Sequence, residues 1–90
     1  MAVDGTVYLI HFDEPFKHAR HYIGWSSRLE QRLEHHRNGT GSRLMAAVSA
    51  AGIGWSVVRT WSGTRELERR FHNRHGASGL CPTCREEVAA

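Results

Sequence analysis

The apolar positions of this chain fall into three short β-type runs and three helical stripes. Residues 5–12 mix Val7, Leu9 and Phe12 with Tyr8, Ile10 and His11, which predicts a first strand broken at Asp13-Glu14-Pro15. Residues 16–20 read as a loop and 21–25, around Tyr22-Ile23-Gly24, as a second strand. The connection is too short for a parallel crossover, so the two strands are expected to pair antiparallel. Leu29 and Leu33 recur four apart in a helix predicted over about 27–37, with Ser27 and Glu30 at capping-box spacing and Asn38-Gly39-Thr40-Gly41 as its stop. Leu44, Met45, Val48 and the alanines predict a second helix over 42–51. Gly52-Ile53-Gly54 is a turn, residues 55–61 have strand propensity, and Leu67 with Phe71 marks a third helix over about 65–75. The order β-β-α-α-β-α predicts an α+β domain, a small three-stranded antiparallel sheet flanked by helices. Its core spans about 5–76, and a short tail covers 77–90.

Ninety residues hold one modest hydrophobic core and leave no room for a second. No apolar run approaches the roughly 20 residues of a membrane span. Nor does the start of the chain carry a basic, then apolar, leader, so a cytoplasmic protein is expected. The 12 basic residues exceed the 9 acidic ones, and all but Lys17 are arginine. Arginine offers planar, bidentate donors suited to phosphate, which turns attention to nucleic acid as a partner.

The predicted elements place specific chemistry together. Arg32 and His36 are four apart, at the edge of the stripe made by Leu29 and Leu33. The helix that carries them follows directly on the strand of Tyr22. A phenol, a guanidinium and an imidazole can therefore share one cleft. His35 projects about 100° away from His36, toward solvent. His11, His18 and His21 read as surface or strand-pair residues.

With these positions in hand, the chain resembles the GIY-YIG nuclease superfamily over about residues 5–75. Tyr22-Ile23-Gly24 stands as the second half-motif, and Thr6-Val7-Tyr8 stands where the family has Gly-Ile-Tyr. Arg32 falls ten residues after Tyr22, His36 four further on, and Glu68 lies in Glu68-Arg69-Arg70-Phe71-His72, similar to the family's Glu-x-x-apolar-Lys helix. The family's late polar residue, often asparagine, has no counterpart, because Asn73 sits too early. The resemblance implies a DNA endonuclease that hydrolyses phosphodiester bonds, of the kind used in DNA repair or recombination, with a single Mg²⁺ (or Mn²⁺) on Glu68. It makes Tyr8 the general base, with its pKa lowered by Arg32, His36 and the metal, and Tyr22 an orienting partner. Arg32 would hold the phosphoryl oxygens, and His36 would bond a tyrosine or the leaving oxygen. Gly24, Lys17, Arg28 and Arg43, with Arg37, would line the DNA path. A protein partner or a homodimer is compatible with so small a domain.

Two alternatives remain at this point. One is a non-catalytic nucleic-acid-binding module on the same fold. The other is a small zinc-binding interaction protein, because Cys81-Pro82-Thr83-Cys84 has zinc-knuckle spacing and His72 and His75 lie just upstream.

Overall fold

β1 (Gly5–Phe16) is the middle strand of a three-stranded sheet of order β2-β1-β3, with β2 (Ala19–Ser26) and β3 (Trp55–Gly63) both antiparallel to it. The computed structural model describes residues 5–74 and Cys81, with the side chains of 72–74 excepted. Every residue from Val7 to Phe12 is buried, so the strand reads as a continuous run because both of its faces are covered. Tyr8, Ile10 and Phe12 face one layer, in which they form a cluster with Met45 and Val48. Val7 and Leu9 face the other, where they pack with Ile23 and Cys81. Each of these fully buried apolar side chains contributes about 1.5–3 kcal/mol relative to exposure.

The Asp13-Glu14-Pro15 segment does not end the first strand as expected. The strand continues to Phe16, and the turn shrinks to Lys17-His18, with Lys17 in the left-handed region at φ 55°. The three residues are exposed, and the ladder to β2 is irregular between His11 and Phe16, so Pro15 costs no regular bond. Asp13 instead donates its backbone N–H to Gly54 O at 2.8 Å.

α1 (Leu29–Arg37), α2 (Arg43–Ala50) and α3 (Arg65–Arg74) complete the order foreseen, an α+β arrangement. Ser42 caps α2 by accepting from Met45 N at 3.1 Å. The capping box expected at Ser27 does not form. The cap position of α1 is Arg28, one residue later, and it is Ser26 Oγ that accepts the Arg28 N–H at 3.0 Å. α1 stops at Asn38, followed by Gly39 at φ 78°.

β3 contains a bulge. Arg59 lies opposite Leu9 while Val57 lies opposite Ile10, so Val58 is an extra residue in the ladder. Trp55 and Val57 accordingly join the Tyr8 layer, whereas Val58 and Trp61 join the Val7 layer. Helices α1 and α2 cover the Tyr8 face through Leu29, Leu33, Met45 and Val48. Helix α3 covers the opposite face through Leu67 and Phe71. No helix among the described residues is long and apolar enough to cross a membrane.

Candidate functional site

The residue that α1 buries completely is not a leucine but His36. Its ring meets Tyr8 from the centre of the sheet and Tyr22 from the edge strand. The centroid separations are 5.8 Å for Tyr8–His36, 5.3 Å for Tyr22–His36 and 6.1 Å for Tyr8–Tyr22. Trp55 closes the other side of the imidazole edge-on at 6.4 Å. The Tyr8 hydroxyl lies 2.7 Å from His36 Nε2. The Arg32 guanidinium, one turn before His36, interacts with both phenol oxygens.

Two glycines make room for this cluster. A Cβ on Gly24 would collide with the Tyr8 phenol oxygen, and one on Gly41 with the imidazole Nδ1 of His36. Gly24, expected along the DNA path, is thus buried and clears space for Tyr8. Gly41, which the sequence offered only as a helix stop, holds the second half of the cradle.

Protonation follows from the surroundings. Burial, then Arg32 and His35, lower the pKa of His36 to about 4. Burial and the neighbouring Tyr22 push Tyr8 up to about 12, against the lowering effect of Arg32. The downward shift expected for a tyrosine base is therefore not found; burial outweighs the arginine. At neutral pH both groups are uncharged, and one proton is shared between the Tyr8 oxygen and His36 Nε2, its donor set by the imidazole tautomer. The other imidazole nitrogen, Nδ1, is buried and has no hydrogen-bond partner among the described residues. Arg32 Nε is in the same condition. An unpaired buried donor costs about 1–3 kcal/mol.

Outside the cluster, an open polar cleft of about 210 Å³ is lined by Ser26, Ser27, Arg28, Gln31, Arg32 and His35. It joins the Arg32 guanidinium to the exposed Arg28. Lys17 lies at the hairpin turn, at the other end of β2 from Arg28, so an eight-residue strand of roughly 25 Å separates the two. Arg43 is exposed on the first turn of α2, and Arg37 lies over the Trp55 ring at 5.8 Å. Glu68 is half-buried on α3, the helix that covers the face opposite Tyr8. That helix begins over Trp25, the neighbour of Gly24, with the Arg65 guanidinium 5.1 Å from the indole.

The tail thiol has partners that the sequence did not suggest. Cys81 is fully buried, with Sγ 3.4 Å from His11 Nδ1, and the same Nδ1 lies 3.2 Å from His21 Nε2. His21 is held below its usual pKa by burial, by His11 and by Arg20. The three donors could hold a metal ion. The set anticipated for zinc was His72, His75, Cys81 and Cys84. The His72 side chain, His75 and Cys84 lie outside the described residues, and Cys81 is engaged with the strand histidines. The signal available in the sequence was the hairpin, whose register sets His11 opposite His21.

Comparison of the chain with protein-family models, with curated proteins and with solved structures gave no match.

Proposed function

We propose that this chain is a metal-dependent DNA endonuclease whose centre is the Tyr8–Tyr22–Arg32–His36 cluster. One observation carries the reading. Two phenols, a guanidinium and an uncharged imidazole drawn from two strands and a helix converge on a glycine-cleared point beside an arginine-lined cleft. The resemblance to GIY-YIG nucleases supplies the reaction class. Arg28 and Arg32 would hold a DNA phosphate in the cleft, with the Arg32 charge opposing the negative charge that develops on the phosphoryl oxygens. Tyr8 keeps its proton at neutral pH and so does not act as a free phenolate. A water attacking phosphorus, as the P–O bond to the leaving sugar oxygen breaks, would pass its proton to the Tyr8 oxygen while the Tyr8 proton moves to His36 Nε2. The imidazolium, which burial disfavours, then gives its proton up to solvent, from which the leaving oxygen is protonated. Tyr22, half-buried beside it, orients the water.

Glu68, half-buried on α3, would be the carboxylate that holds a hard divalent ion in this reading. Such an ion, when bound, supplies neutralisation of the phosphoryl charge.

A second reading has a specific support. Tyr8 is wholly buried, and Glu68 is carried on the helix of the opposite face. In that reading the aromatic cluster is a brace beneath an arginine cleft, and the chain binds nucleic acid without cutting it.

The deciding experiment is cleavage of duplex, nicked, flap, branched and single-stranded DNA with Mg²⁺ or Mn²⁺, with EDTA and Glu68→Gln as controls. Cleavage that both controls abolish supports the endonuclease. Salt-sensitive binding with no cleavage of any substrate refutes it in favour of the binding module.

A further inference from the structure

We propose that His11, His21 and Cys81 form a site for a zinc-class divalent ion, which ties Cys81 to the β1–β2 hairpin. The site lies on the sheet face away from Tyr8 and is independent of the nuclease reading.

Two of the three donor separations are those of a coordination polyhedron, and the third lies within reach of one. A tetrahedral ion with bonds of about 2.0 Å to nitrogen and 2.3 Å to sulfur sets its donors about 3.3–3.6 Å apart. His11 Nδ1 and His21 Nε2 are 3.2 Å apart, Cys81 Sγ and His11 Nδ1 are 3.4 Å apart, and all three donors lie within 4.8 Å of one another. Hydrogen bonding alone accounts for this poorly. The single lone pair or proton on His11 Nδ1 can serve one of its two neighbours well, not both. A cation at the point where the three donors meet serves all of them.

The donor types select the metal. One thiolate and two imidazoles favour zinc over Mg²⁺, which takes oxygen donors. The elements are fixed as well. His11 and His21 are direct cross-strand partners, and Cys81 is packed in the cluster of Val7, Leu9 and Ile23. Three protein donors leave one position of the tetrahedron.

The test uses the 90-residue chain purified without chelators, followed by metal analysis. The metal-free protein is then titrated with Co²⁺ and displaced with Zn²⁺. The expected result is one ion per chain, tetrahedral d–d absorption with a thiolate-to-cobalt charge-transfer band, and loss of both on adding Zn²⁺ but not Mg²⁺. Removing the metal should lower Tm by more than about 4 °C. Cys81→Ser should abolish the charge-transfer band, and His21→Ala should weaken Co²⁺ binding at least tenfold. His18→Ala, at the exposed turn, should bind as the parent does. Failure of the parent chain to bind Co²⁺ or Zn²⁺ overturns the proposal, and it does so whether or not any variant folds. Undiminished binding by both His11→Ala and His21→Ala overturns it too.

Discussion

Gly24→Ala adds one methyl group at the point where the candidate site is tightest. The new carbon would fall on the Tyr8 phenol, 2.5 Å from Cζ and closer still to the hydroxyl, and 2.8 Å from Tyr22 Cε1. Tyr8 is wholly buried and bonded to His36, so it cannot swing into solvent to make room. Forcing a methyl group into a filled core costs about 1–3 kcal/mol. Replacing glycine in a strand returns about 0.5–1 kcal/mol of backbone entropy. The net expectation is a loss of about 0.5–2 kcal/mol, seen in urea denaturation as a lower midpoint at unchanged slope. The same substitution in a Tyr8→Phe background should cost less. Its nearest obstruction has gone, and the ring is no longer held by His36. A coupling of about 0.5 kcal/mol or more between the two sites is expected. Equal costs in both backgrounds would refute the claim that Gly24 exists to clear the Tyr8 hydroxyl. So would a Gly24→Ala protein as stable as the parent.

Acid should weaken the fold through His36. Its pKa in the native state is about 4 against an ordinary value of 6.5, so between these values the unfolded chain binds the extra proton and stability falls as pH falls. The slope from this group approaches about 1.4 kcal/mol per pH unit at most, and His36→Gln should flatten the stability profile in that window; identical profiles would contradict the buried neutral imidazole. Arg32→Ala should slow cleavage by about 10²–10³-fold, because the transition state loses its cation, and single-turnover rates on the preferred DNA would show it. Arg28→Ala should reduce the slope of log K against log salt by about one, whereas Lys17→Ala, at the far end of the hairpin, should leave it unchanged. Equal effects of the two would argue against a cleft centred on Arg28 and Arg32.

The residues that meet in the cluster were legible because local rules place them. Arg32 and His36 share a helix stripe by their four-residue spacing, and a short antiparallel connection brings Tyr22 beside the first strand. The complete burial of His36 was not legible. It depends on how α1 and α2 lean on the Tyr8 face, and on Gly41 lying against the ring. The raised pKa of Tyr8 is hidden from the sequence for the same reason, since burial depends on packing and no spacing reports it. The second helix, expected over 42–51, starts one residue later because Ser42 caps it from outside. The first helix also starts late, with Arg28 rather than Ser27 at its cap position. The Cys81–His11 contact spans 70 positions, and no local pattern encodes it. Parity along β3 misleads outright, because Trp55, Val57, Arg59 and Trp61 alternate as if on one face. The extra residue divides them between two.

That extra residue reverses the usual arithmetic of insertion and deletion. Losing one residue inside a core strand ordinarily turns everything beyond it to the wrong side. A chain without Val58 would keep Arg59 opposite Leu9 and Val57 opposite Ile10, because the surplus position is the one removed. It would lose Val58's packing and the local bend of the strand, but not the pairing partners of its neighbours. An added residue anywhere between Trp55 and Val57 enjoys no such exemption. This strand is thus one residue longer than its ladder needs, and shortening it there is the milder of the two edits.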